Sequence, residues 1–269
     1  MFGKSRLLLG SALCALTLFG TPALVRADDE KAVKKSDVKL DTTPITIPHA
    51  QKAGDATKLR TKVSAEVQGM EIKVEQNHKH VVKEIKKEGD KAGDIVVVIE
   101  DEGGKMSFGG QEQDSPAGPA TTVTFGKNNK LVAFKAEGGQ FFSLESLHLQ
   151  MISTSLIYPD KAVKSGDKWE TEYENPVVKD KKFKVETTYV GKETVDKEEL
   201  FKLTQKMEAD GDENGTKTKV QMTFWLDKEG GIVKSEQKAE GIVTTMAAID
   251  WTATTERIKE KAKEKPADK

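Results

Sequence analysis

From residue 57 onward the chain alternates. Leu59, Thr61, Val63, Ala65 and Val67 take every second place, with Lys58, Arg60, Lys62, Ser64 and Glu66 between them, the period of a strand with one dry and one wet face. After Gly69 the pattern resumes with Met70, Ile72 and Val74 against Glu71, Lys73 and Glu75, so the two segments are expected to pair antiparallel. Residues 95–99 are apolar at every position, as in a strand covered on both faces. The glycines and prolines of 103–119 predict a loose connection. A hairpin follows, with residues 121–125 and 131–134 as its arms and Asn128-Asn129 as its turn.

Between Gly139 and Tyr158 the period changes. Phe141, Leu144, Leu147, Met151 and Ile152, widened by Leu149 and Leu156, make a broad apolar stripe, which predicts one largely buried helix lying over the strand at 95–99. Pro159 is expected to end it, since proline lacks a backbone donor and biases the residue before it to an extended shape. Gly166 suits a bend at positive φ, and Asp167 can accept hydrogen bonds from donors that the bend leaves free. Trp169 then opens the next strand, where it would bury roughly 200 Å² at the junction of helix and sheet.

Alternation returns in Phe183, Val185, Thr187 and Tyr189, and again in Val220, Met222, Phe224 and Leu226. The stretches "VTFGKNNKLVAFKAEG" (123–138) and "MTFWLDKEGGIVKSEQKAEG" (222–241) share Thr-Phe, a polar turn and a closing Lys-Ala-Glu-Gly, which points to an internal duplication. The expected fold is mainly β with one central helix: a strongly curved antiparallel open barrel of two related halves, 56–138 and 168–257, joined by the helix and turn at 139–167.

The ends read differently. Lys4 and Arg6 precede an apolar run at 7–19, and small residues close at Ala27, the layout of a cleaved secretory signal over 1–27. The run is about 13 residues, short of the roughly 20 needed to span a bilayer, so no transmembrane segment is expected in the mature chain. Residues 28–55 are polar with Pro44 and Pro48, which reads as a flexible leader, and 258–269 form a charged tail. The protein is thus expected in the periplasm or outside the cell.

Cys14 is the chain's one cysteine and lies inside the signal. Leu13 before it is not the small residue that lipid attachment needs. The mature chain therefore has no disulfide, thiol nucleophile or cysteine-held metal. Removing Lys4, Arg6 and Arg26 from the 43 basic residues leaves 40 against 44 acidic ones, about four net negative charges. Only Arg60 and Arg257 remain as guanidinium groups. Nothing in this balance calls for nucleic acid, and lysine interleaved with glutamate reads as a solvated outer face.

Candidate chemistry is sparse. His78 and His80 lie two apart on a strand, hence on one face and roughly 6.5 Å apart, a spacing that can share a metal, though no third ligand is near. His148 falls on the helix beside Leu147 and Leu149, where a core role is expected. Asp210, Asp212 and Glu213 lack EF-hand spacing and read as an acidic turn; Asn214-Gly215-Thr216 matches a glycosylation acceptor but also a plain hairpin turn, the expected reading. No nucleophile elbow, phosphate loop or zinc-protease motif occurs, so neither an enzyme nor a cofactor is expected. The apolar residues Phe141, Leu144, Met151, Trp169 and Trp225 are the candidates to line a cavity, with Pro159, Gly166, Asp167 and Trp169 as structural residues.

The pattern Pro159-x-Lys161-x-Val163-x-x-Gly166-Asp167-x-Trp169, after a buried helix and a β-rich first half, resembles an uncharacterised family of secreted or lipid-anchored bacterial proteins. More distantly, residues 57–255 resemble the open barrel of lipoprotein carriers, in which helices plug the concave side. The resemblance implies a curved sheet with an apolar concave face; shape alone does not fix function. The functional expectation is an exported envelope protein that binds a hydrophobic small molecule or lipid without catalysis. The alternative is a structural or protein-interaction module of the envelope with a closed core and an envelope protein as its partner.

Overall fold

The computed structural model describes residues 38–259 except 50, 68, 88, 137–141 and 246. The signal at 1–27 and the tail beyond Lys259 lie outside the described residues. Thirteen strands join one antiparallel sheet. In chain order they are β1 (Val38–Lys39), β2 (Ala56–Val67), β3 (Met70–Ile85), β4 (Ile95–Phe108), β5 (Gln111–Ser115), β6 (Thr121–Phe125), β7 (Leu131–Lys135), β8 (Lys168–Glu174), β9 (Lys182–Val195), β10 (Glu198–Asp210), β11 (Lys217–Leu226), β12 (Ile232–Val243) and β13 (Ala248–Arg257), with α1 (Leu144–Thr154) between β7 and β8.

Across the sheet the order is β1-β9-β10-β11-β12-β13-β2-β3-β4-β6-β7. The two halves meet where β13 pairs with β2, from Trp251 opposite Ala65 to Arg257 opposite Leu59. The outermost strands do not pair with each other, so the barrel is open. Alternation decides the faces: Phe183, Val185 and Tyr189 of β9, Leu203 and Met207 of β10, and Val220, Met222 and Phe224 of β11 are buried on the concave side. The intervening lysines and glutamates pair across strands on the outside, as in Lys184–Glu170 at 2.7 Å and Lys206–Glu186 at 3.1 Å. Each such exposed pair contributes about 0–1 kcal/mol, so the ladder favours register more than stability.

Helix α1 lies on the concave side. Its buried Leu149 and Ile152 share one core cluster with Val82, Val97 and Val123 of the first half and with Tyr189, Leu203 and Phe224 of the second. Ser143 caps it, accepting from Ser146 N at 3.0 Å.

Three sequence expectations are corrected here. The helix stops at Thr154, well before Pro159. Hydroxyls end it: Ser153 Oγ donates to Gln150 O at 2.7 Å and Ser155 Oγ to Met151 O at 2.6 Å, a side-chain alternative to continuing the main-chain ladder. Gly103 and Gly104, read as the start of a loop, belong to β4. A Cβ on Gly104 would lie 1.9 Å from Glu75 O, and Gly103 has φ +79° opposite a register shift at Asn77/His78; only glycine lets the strands approach so closely.

The leader is not free over its length. Val38 pairs with Glu193 and Ile45 with Val163, Ile47 is buried, and the His49 ring stacks on Tyr158 at 3.9 Å. Apolar residues spaced along a polar segment hold it to the barrel's end. The two matched stretches each lie on a hairpin, β6-β7 in the first half and β11-β12 in the second; the first Lys-Ala-Glu-Gly begins at the end of β7 and the second lies within β12. Both halves run as meanders.

Candidate apolar cleft between helix and sheet

The segment leaving α1 determines how the helix sits. Gln205 of β10 is buried among apolar side chains, and its amide is used in full. Its Nε2 donates to Ser153 O at 3.2 Å and Ser155 O at 3.0 Å, while its Oε1 accepts from Ile157 N and Thr187 Oγ1, both at 3.1 Å. Asn129 Nδ2 donates to Leu156 O at 2.8 Å, Trp169 Nε1 to Ile157 O at 3.0 Å, and Tyr158 OH to Gly230 O at 2.7 Å. The exit is thus clamped between both halves, by Asn129 of the first and by Gln205, Trp169 and Gly230 of the second, with each buried polar group of Gln205 satisfied.

On the other flank the packing is open. Between α1 and the concave faces of β2, β3 and β13 lies a cleft of about 440 Å³. Its floor is Val63 and Ala65 of β2, Ile72 and Val74 of β3, and Ile249, Trp251 and Ala253 of β13; Leu147, Gln150, Met151 and Thr154 of α1 form the roof. Phe134 and Phe142 close one side, and Phe142 meets the Trp251 ring edge-on at 6.1 Å. None of the eighteen residues around it is charged.

The candidates drawn from the sequence divide. Met151 lines the cleft. Phe141 lies outside the described residues, and Leu144 is 44% exposed at the start of α1. Trp169 is half-buried against the core and holds the helix exit. Trp225 is buried on the outer face, between Lys202 and Lys234 at 5.3 and 5.1 Å from its ring centre, with its Nε1 donating to Glu193 Oε2 at 2.9 Å. Neither tryptophan borders the cleft. Gly166 has φ +93°, and Asp167 Oδ2 accepts from Lys164 N at 2.9 Å.

Sequence reasoning missed Trp251, Gln237 and Gln150 as wall residues. Only the pairing of β13 with β2 puts Ile249, Trp251 and Ala253 beside Val63 and Val74.

Burial holds each histidine below its ordinary value. His78 and His80 follow Ile72 and Val74 on the concave face, opposite Leu59 and Thr57 of β2. Burial, and secondarily the neighbouring His78, pushes His80 down to about 4, and burial lowers His78 against the opposing pull of Asp101. Asp101 itself is engaged by Gln76 Nε2 and by the backbone of Gly103 and Gly118. His148 stacks on Phe134 at 5.3 Å and is lowered by burial. Among the described residues no three His, Cys, Asp or Glu side chains gather as metal ligands do, and no helix is long and apolar enough to cross a membrane.

Fold and cleft together define an open antiparallel barrel that wraps one helix and leaves part of its concave face accessible. The chain belongs to DUF6263, a family of unknown function, whose pattern matches residues 117–252. No curated protein matches it. Among solved structures it is similar to a protein with YmcC-like fold from Bacteroides fragilis, at 14% identity and TM-score 0.33, covering 81% of this chain and 100% of that one. It is also similar to a DUF1329 family protein from Desulfovibrio piger, at 11% identity and TM-score 0.22, covering 75% and 84%. A domain from Vibrio parahaemolyticus named for outer-membrane lipoprotein sorting matches at 10% identity and TM-score 0.20, covering 76% and 83%.

Proposed function

We propose that this is an exported envelope protein whose 56–257 region binds a hydrophobic small molecule or lipid, without catalysis, in the cleft under α1. The observation that carries the reading is the composition of the wall. Charged residues make up 32% of the chain, yet none borders the cleft. Its volume falls in the range of about 300–1,000 Å³ usual for small-molecule sites. An apolar face left open to water in so charged a chain forgoes stabilising burial, which an apolar occupant would restore. Residues 1–27 support export.

The test is uptake of the neutral polyene diphenylhexatriene by the mature chain. Its fluorescence is expected to rise and saturate near one probe per chain, and to be lost in Val63→Trp, which fills the floor, while circular dichroism stays unchanged. A folded wild-type chain that takes up no probe, or a filled variant that takes up as much, overturns the reading.

A further inference from the structure

Residues 38–49 run along the barrel's end as a strap, and two glycines let its backbone come close. A Cβ on Gly191 would lie 2.6 Å from Lys39 O, and one on Gly230, whose φ is +84°, would lie 1.8 Å from Pro48 O, so glycine alone admits the strap at both places. Between them Asp41 N donates to Ser165 Oγ at 2.8 Å, Asp41 O accepts from Ser165 N at 3.0 Å, and the Asp41 carboxylate accepts from Tyr189 OH at 2.5 Å. Ile45 and Val163 exchange two main-chain bonds, each 2.8 Å, and Ile47 is buried. The strap thus lies along residues 158–165, the segment that leaves α1.

Its last contact differs in kind. The His49 ring stacks on Tyr158 at 3.9 Å with 11° between the planes, and its Nε2 is buried without a hydrogen-bond partner among the described residues. A neutral imidazole can keep that nitrogen as an unpaired acceptor. An imidazolium needs an acceptor for each N–H, and burial away from a counter-charge penalises it. The acidic groups on the elements around it are engaged elsewhere or exposed to water. In the turn between β11 and β12, Asp227 accepts from Arg257 at 2.6 Å and from the amides of Glu229 and Gly231, both at 2.9 Å, while Lys228 and Glu229 have exposed side chains. On the exit segment Asp160 pairs with Lys127 at 2.6 Å and Lys161 is exposed. Beyond His49, Lys52 and Asp55 are exposed as well. Tyr158 OH gives its own proton to Gly230 O at 2.7 Å.

We infer that the strap is a pH-sensitive latch, in which protonation of His49 lifts residues 45–49 from the barrel. The docked strap holds the ring uncharged, and burial accordingly lowers its pKa. The lifted strap returns the ring to water, where it titrates at about 6.5. Docking is therefore complete above that pH and weakens as pH falls. Lifting uncovers Tyr158 and Val163, in the segment that holds α1 over the sheet.

Amide hydrogen exchange of the mature chain, corrected for intrinsic rates and read at the mutually bonded amides of Ile45 and Val163, tests it. A docked ring that stays uncharged, against about 6.5 for a free one, predicts that their protection falls about tenfold from about pH 7.5 to about pH 5.5. His49→Phe keeps a ring to stack and removes the proton site, so its protection should be the same at both pH values. Wild-type protection that does not change with pH, or a variant that loses as much as the wild type, overturns the latch. Should His49→Phe prove unprotected at both pH values, the wild-type imidazole resonance decides. A ring that titrates together with the loss of protection upholds the latch, and one that titrates while the Ile45 amide stays protected overturns it.

Discussion

Gln205 shows what one side chain decides. A glutamine inside an apolar face is unfavourable unless each polar atom is paired, and here the pairs run to the carbonyls of 153 and 155, the amide of Ile157 and the hydroxyl of Thr187. The same side chain that fills the core thereby sets the height of α1 above the sheet. Gln205→Leu should cost about 3 kcal/mol, because groups of the exit segment are left buried without partners. Urea unfolding followed by tryptophan fluorescence reads the loss; an unchanged midpoint would mean that the exit segment finds other partners. No alternation or motif marks this residue, since its role depends on a segment about 50 positions away in the chain.

At the scale of elements, hydrogen bonding rather than periodicity sets the boundaries. The stripe from Leu144 to Leu156 announces a helix, but hydroxyl side chains at 153–155 bond back onto its last turn and end it ahead of Pro159. Likewise the Gly-Gly at 103–104 looks like a loop because glycine favours turns, yet it continues β4 where Glu75 O comes too close for a Cβ. Gly104→Ala should therefore cost more than about 2 kcal/mol, since the obstructing atom is backbone and must move. Gly110→Ala should cost only about 1–2 kcal/mol: its φ of +84° is strained for alanine, but nothing lies within 4 Å. Paired denaturation curves compare them, and equal losses would place Gly104 in an ordinary turn. The leader belongs here too, because Ile45 and Ile47 give a polar stretch enough apolar contact to dock.

For the whole molecule, titration follows from burial. All four histidines are shifted below 6.5, chiefly by burial. The unfolded chain thus binds protons that the fold refuses. Their contribution to stability is complete above about pH 6.5 and declines as pH falls. His80, at about 4, carries the widest window, on the order of 3 kcal/mol when fully expressed. Denaturant midpoints measured from about pH 7.5 down to about pH 5, where carboxylates remain ionised, should fall steadily, and His80→Gln should flatten the slope. A variant with the wild-type slope would mean that His80 titrates normally.

The sequence by itself determined the faces of the strands, the presence of one amphipathic helix among them and the charged exterior. Those are local matters, since the period of side chains along a strand or helix follows from backbone geometry alone. Which inward residues are packed and which border a cleft was decided by tertiary structure. Trp225 and Trp251 both sit in alternating strands; Trp225 turns outward beneath two lysines, and Trp251 faces the helix because β13 joins β2 and closes the halves into one sheet. The cleft exists where α1, clamped through its exit, leaves the concave face around the β13–β2 seam incompletely covered, and that depends on contacts between residues far apart in the chain.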